Sequence, residues 1–278
     1  MKTAIVTGAD GGIGKELIMA LAQKGINIIM GCRDKSKGDI ICQQIVEKTN
    51  HSFIEVIEID LASFHSINQF VKDFQAKYKQ LDILLNNAGV LCHQPHVTKE
   101  GAEYTIGVNY LGSYMLTEQL FPFMSEGTRI VNTVSLMLRY GKISPDFFTL
   151  EPSRFNRFTY YSQSKLALYY AALDWAEKWK DKGITVNCVD PGIVSTDIIR
   201  MGNKCIDKLC DIFYRPIIRT PQQGADTIIY LATDEQVKNI SGKVFKSKKI
   251  KPIKMDSLHL LQRDSLKKQT TDFLAQHQ

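Results

Sequence analysis

The stretch KTAIVTGADGGIG (residues 2–14) decides the fold. An aliphatic run stops at Thr7, glycines follow at 8, 11, 12 and 14, and helix-forming residues begin at once. A strand, a glycine turn and a helix in immediate succession form the opening of a dinucleotide-binding βαβ unit. Gly8 allows the tight turn, Gly12 lets backbone approach a pyrophosphate, and Gly14 permits close packing of helix on strand. The first N–H groups of the helix, from about Ile13, are open to an anion. Asp10 adds a carboxylate to the same loop.

Outward from this unit the same rhythm repeats. NIIMG (27–31), FIEVIEI (53–59), LDILLN (81–86), RIVNTVS (129–135) and TVNCVD (185–190) are short and aliphatic, several of them apolar on both faces, as buried parallel strands are. Stretches with 3.6-residue periodicity separate them, at 13–24, 35–48, 63–78, 100–124 and 161–182. Thr220-Pro221-Gln222-Gln223 then opens another helix, with an N-cap threonine, a proline at the first position and a glutamine three after the cap. SGKVF (241–245) reads as a last strand. The expected fold is α/β: one doubly wound, mostly parallel sheet of seven strands with helices on both faces, in a single domain over 1–278. Residues 192–220 are expected to form a lid or substrate loop, and 246–278 a basic C-terminal extension.

Composition bounds the rest. The chain of 278 residues is 44% hydrophobic and 23% charged, as globular proteins are. Its six cysteines are scattered, and no secretory leader opens it, so a reduced, cytoplasmic setting is expected. No uncharged stretch approaches the ~20 residues of a membrane span. The net charge of +6 lies wholly beyond residue 203, where 14 Lys/Arg face 8 Asp/Glu, and five lysines fall within KSKKIKPIK (246–254). We read that run as a solvated loop before a C-terminal helix, with no nucleic-acid partner. Cys92-His93-Gln94-Pro95-His96 offers metal-binding side chains but lacks a second ligand pair, so no metal site is expected.

Strand 2 ends in Gly31-Cys32-Arg33-Asp34. No acid stands at its tip to bind ribose hydroxyls; Arg33 suits a 2′-phosphate, with Lys37 a second cation, which favours NADP over NAD. Asp60 and Leu61, after strand 3, are placed to meet the adenine.

Tyr161 and Lys165 lie four apart in TYYSQSK (159–165), a spacing that about one pair meets by chance in such a chain. Context makes it more. Gly8-x-x-x-Gly12-x-Gly14, Asn86-Asn87-Ala88-Gly89, Ser135, Tyr161-x-x-x-Lys165 and Pro191-Gly192 occur in the order and spacing of the short-chain dehydrogenase/reductases, and the chain resembles that family from end to end. GCRDKSKG (31–38), TKEGAEYTIGVNYLGSYMLT (98–117) and TPQQGADTIIYLAT (220–233) resemble its retinol-dehydrogenase-like members.

The resemblance implies a catalytic tetrad of Asn109, Ser135, Tyr161 and Lys165. Tyr161 would be the acid that protonates a carbonyl as hydride arrives from the nicotinamide. Lys165, on the same helix face, would lower its pKa. Ser135 would hold the substrate oxygen, and Asn109 would link Lys165 through water to solvent. The resemblance further implies that Asn87, Ala88 and Gly89 border the adenosine, and that Pro191, Gly192, Ile193 and Thr196 contact the nicotinamide. The expected activity is NADP-dependent interconversion of a carbonyl and an alcohol on a small molecule. Alternatives are a dinucleotide-binding sensor without chemistry and a C=C reductase with the same machinery. Five aromatic rings in 143–160 are expected to wall an apolar pocket. The resemblance implies a possible homodimer meeting along the helices 100–124 and 161–182.

Three features depart from the family. Asp10-Gly11 replaces the frequent Asn-Ser. The chain begins two residues before strand 1, where membrane-bound relatives carry an anchor, so a protein without one is expected. Met137-Leu138-Arg139 differs from the small or histidine residues common after the serine, so retinoid specificity does not carry over.

Overall fold

Every residue of β1 (Thr3–Thr7) is buried, which requires cover on both faces of the sheet. The computed structural model describes residues 1–194 and 218–277. After β1 come α1 (Gly12–Ala22), β2 (Asn27–Cys32), α2 (Lys35–Thr49), β3 (Ile54–Glu58), α3 (Phe64–Lys77) and β4 (Leu81–Asn86). A composite helix follows: α4 (Tyr104–Ile106), a π-helical stretch Gly107–Gly112, and α5 (Ser113–Leu120). The chain continues through β5 (Met124–Thr133), α6 (Arg157–Lys178), β6 (Thr185–Val189), α7 (Pro221–Thr233), β7 (Val244–Lys246), β8 (Lys249–Ile250) and α8 (Ser257–Ala275).

The strands form one sheet in the order β3-β2-β1-β4-β5-β6-β7-β8, parallel except for the last pair. Order reverses between β1 and β4, and in such sheets ligands sit outside the carboxyl ends at that switch point. Alternation along each strand sends side chains to two cores. Ile5, Ile29 and Leu84 join the α3, α5 and α6 side with Phe70, Tyr170 and Trp175. Ala4, Val6, Ile28, Met30, Ile83 and Leu85 join the α1, α2 and α7 side with Leu17, Leu21 and Ile228.

Local signals set the helix starts. Asn156 caps α6, its side chain accepting from Phe158 and Thr159 N–H, so the helix begins four residues before Tyr161. Thr220 and Gln223 form the capping box of α7, with Pro221 inside it.

The structure corrects three expectations. The sheet has eight strands, not seven: Ser247 and Lys248, at φ 51° and 59°, turn the chain back so that Ile250 pairs with Phe245. Positive φ at both central residues is what a two-residue hairpin of type I′ requires. The basic run therefore contributes an edge strand where a loop was expected. The helix expected over 100–124 is shorter and passes through the π-turn. The rings of 143–160 do not wall the cleft: Phe147 and Phe148 are buried against Tyr110 and Phe273 of α8, Tyr160 stacks on Phe155, and Phe158 is exposed. Burying those rings under α8 removes more apolar surface from water than lining an open cleft would. Among the described residues, no helix is long and apolar enough to cross a membrane.

Candidate active site

The carboxyl ends of the central strands open on a cleft of about 310 Å³. Gly8, Asp10, Gly12, Ile13 and Gly14 line one wall, with Arg33, Asp60 and Leu61 beyond. Asn87, Ala88 and Gly89 form its floor, and Ser135, Tyr161, Lys165, Pro191 and Gly192 line the other side. Ile193 is 45% exposed, and its neighbour Val194 lines the cleft in its place. Thr196 and the lid expected near 192–220 lie largely outside the described residues.

Gly8 adopts φ +62°, and a β-carbon there would come within 2.9 Å of Ala88 Cα. A β-carbon on Gly14 would press on the Ala9 backbone at 2.8 Å. These approaches hold the first turn flat against the chain after β4. Thr7 Oγ1 completes the join, accepting the N–H groups of Asn87 and Ala88 at 3.1 Å each. The first turn of α1 carries no acid, and its Gly11 cap offers no side-chain acceptor, so its N–H groups are left for an anion.

Charges ring the β2 end. Asp10 pairs with Lys37 at 3.0 Å, and Arg33 donates to the Tyr104 hydroxyl at 3.1 Å. Cys32 is fully buried, and desolvation pushes its thiol up to about 12. Asp60 is folded into its own turn, Oδ1 accepting from Ala62 N–H at 2.9 Å.

At the other end, Ser135 stands two residues beyond β5, and its Oγ accepts from Met137 N–H at 3.2 Å. Its hydroxyl lies beside the Tyr161 phenol and favours the ionised form. Burial outweighs that help and pushes Tyr161 up to about 12, with the Asp190 carboxylate adding to the rise. Lys165 is 3% exposed and donates to Thr133 O at 2.9 Å; desolvation lowers it to about 8. Its Nζ lies 5.6 Å from the centre of the Tyr161 ring. Burial is the largest influence on both groups, raising the tyrosine and lowering the lysine.

Asn109 does not reach the cleft. It is fully buried in the π-turn, bridging Val90 N–H (2.7 Å) and Val90 O (2.9 Å) and donating to Ser164 Oγ at 3.0 Å. The π-turn is what points it away from the regular helix ladder.

A cradle of backbone at a helix N-terminus, cations where a nucleotide would end, and a serine–tyrosine pair with a buried lysine define a nucleotide-dependent redox site. The short chain dehydrogenase family model matches residues 2–204. This chain belongs to the short-chain dehydrogenase family.

Retinol dehydrogenase 11 of Mus musculus is 39% identical over 247 residues, covering 88% of this chain and 77% of that one. Retinol dehydrogenase 13 of Homo sapiens is 34% identical, covering 88% and 76%. A short-chain dehydrogenase from Burkholderia cenocepacia J2315 solved in complex with NADP superposes with a TM-score of 0.70 at 23% identity, covering 88% of this chain and 95% of the other. A dehydrogenase/reductase from Sinorhizobium meliloti 1021 does so with a TM-score of 0.70 at 24% identity, covering 88% and 92%. The short-chain dehydrogenase described here is therefore an NAD(P)-dependent oxidoreductase of carbonyls and alcohols, similar to the retinol dehydrogenases.

The residues of this short-chain dehydrogenase fit a bound nicotinamide dinucleotide: the N–H groups of the first turn of α1 are left for an anion, and the buried Thr133 hydroxyl in the cleft lining has no hydrogen-bond partner among the described residues. Sequence reading missed Thr7, Tyr104, Asp190 and Val194 as cleft residues. Asp190, directly before Pro191-Gly192, was within reach of it; nothing local marks Tyr104. Of the cysteine–histidine run, His93 faces Arg157 at 2.8 Å and His96 lies against the Tyr104 ring.

Proposed function

We propose that this protein reduces an apolar carbonyl compound to its alcohol with NADPH, and catalyses the reverse, with Tyr161 as the proton donor. One observation carries the reading: the Tyr161 phenol, the Ser135 hydroxyl and the Lys165 ammonium converge at the β5–β6 end of a cleft whose other end is a glycine cradle.

The bound nicotinamide supplies or takes up the hydride. The chain's own residues handle the proton and the geometry. Tyr161, with its proton held to about pH 12, meets a carbonyl oxygen loaded as an acid. Ser135 Oγ is placed to donate to that same oxygen and fix it against the phenol. Lys165 at about 8 is largely cationic near neutral pH and would steady the charge the tyrosine acquires as its proton leaves. Asn109 ties α6 to the loop after β4, which keeps these groups in register.

Arg33 on the cleft wall supports the choice of NADP, since a guanidinium matches a phosphate in a planar, two-point fashion. Lys37 is engaged by Asp10, so the argument rests on Arg33. Val90, Val134 and Val194 in the lining support an apolar substrate.

The test is oxidation of NADPH and of NADH by purified protein over a panel of aldehydes, ketones and quinones, repeated with Tyr161→Phe. Turnover with NADPH that vanishes in the variant is the expected result. Binding of NADPH without turnover on any compound would make the protein a sensor instead, and turnover surviving in the variant would remove Tyr161 from its role.

A further inference from the structure

Asp190, directly after β6, carries a carboxylate to which the reaction above gives no task. It is 4% exposed and lines the cleft together with Tyr161 and Lys165. Its Oδ1 accepts from Gly192 N–H at 3.3 Å, and its Oδ2 lies 2.9 Å from Nζ of Lys246 on β7.

Backbone pairing puts acid and base side by side. Val189 stands opposite Phe245 in the parallel β6–β7 ladder, and Asp190 N–H donates to Phe245 O at 2.8 Å. Asp190 and Lys246 are each one step beyond that pair. A carboxylate this enclosed is costly unless a cation and hydrogen bonds compensate it, and here both do.

Position gives the pair its consequence. Among the described residues, the charged and titratable groups facing Tyr161 are Lys165 from its own helix and Asp190 just after β6, with the Ser135 hydroxyl just after β5. Those near Asp190 are Lys246 from β7 and Tyr161, with Arg219, before α7, donating to Pro191 O at 3.1 Å. The thiol of Cys188 on β6 is held neutral by burial. A negative carboxylate beside the phenol opposes the phenolate; an ammonium on that carboxylate cancels part of the opposition.

We propose that the Asp190–Lys246 ion pair is a positioning element that sets the pH at which Tyr161 gives up its proton while pinning the Pro191–Gly192 turn to the cleft. The proposal rests on Tyr161 being the acid of the reaction. Lys246 does so from outside the cleft lining, acting only through Asp190.

Two measurements test it. The first follows Tyr161 directly in the protein alone, by alkaline titration of tyrosine labelled with carbon-13 at Cζ, with Tyr161→Phe identifying the signal. The second is the pH profile of kcat/KM for alcohol oxidation. We expect Lys246→Met to move both midpoints up and Asp190→Asn to move both down, by about one pH unit each. Lys246→Arg and the double variant should return them close to the unsubstituted protein. Asp190→Asn keeps an acceptor for Gly192 N–H, so KM for the dinucleotide should hold, whereas Asp190→Ala should raise it. Midpoints unmoved in both single variants, or moved in one direction, would overturn the proposal and leave the pair a structural link. Turnover persisting in Tyr161→Phe would instead undo the reading of the acid, a separate result.

Discussion

Nζ of Lys165 donates to the carbonyl oxygen of Thr133 at 2.9 Å, joining the middle of α6 to the end of β5 beneath the cleft. The ammonium is buried, no carboxylate among the described residues pairs with it, and desolvation lowers it from 10.5 to about 8. Between those values the unfolded chain holds a proton that the folded one does not, so this group makes stability rise with pH there; below about 8 its cost is fully present. Lys165→Met should therefore raise stability near neutral pH by about 1 kcal/mol net of the lost bond to Thr133. Urea unfolding should show the gap narrowing from about pH 8 towards 10.5, and turnover should be lost.

Tyr161→Phe keeps the ring and removes the proton. Carbonyl reduction should fall by a factor of about 10²–10⁴, the usual worth of a general acid, while dinucleotide binding measured by fluorescence stays unchanged.

Arg33 and Asp10 pull in opposite directions on a phosphate at the β2 end. Arg33→Ala should raise KM for NADPH about tenfold and leave that for NADH alone, as expected for one charge-assisted hydrogen bond lost. Asp10→Asn removes the carboxylate paired with Lys37 at 3.0 Å, and with it a negative charge facing the phosphate, and should lower KM for NADPH. Steady-state kinetics with both dinucleotides checks each.

At Gly14 the limit is packing. With a β-carbon 2.8 Å from the Ala9 backbone, Gly14→Ala must push α1 off β1, and overpacking of this kind costs about 1–3 kcal/mol. A lower urea midpoint and weaker dinucleotide binding should appear together.

What could be read from the chain was what lies close together in it. The β1–loop–α1 unit, the cap of α7 and the Tyr161–Lys165 spacing are settled within a few residues, and the first and last of these line one cleft. The misses depend on distant partners. Phe147 and Phe148 carry no mark that α8 will cover them, since the deciding contacts, Phe147 N–H to Gln269 Oε1 at 3.2 Å and the Phe148–Phe273 ring pair, span more than a hundred residues. Ser247 and Lys248 are not residues that favour positive φ, and the turn is held through Lys248, whose N–H donates to Thr227 Oγ1 and whose ammonium pairs with Asp226 of α7. The bond between Asp190 and Lys246 exists only because β6 and β7 are neighbours.

The helix at the end of the chain has a bearing on what the α5 and α6 side exposes to water. Arg263 of α8 grips Asp174 and Glu177 of α6, Thr270 closes on the buried Tyr110 hydroxyl at 2.7 Å, and Leu266 is buried in the same seam. A covalently tethered helix is held at the high effective concentration of its own linker. The tail thus seals this face of α5 and α6 from within its own chain, and loss of α8 would open it to water.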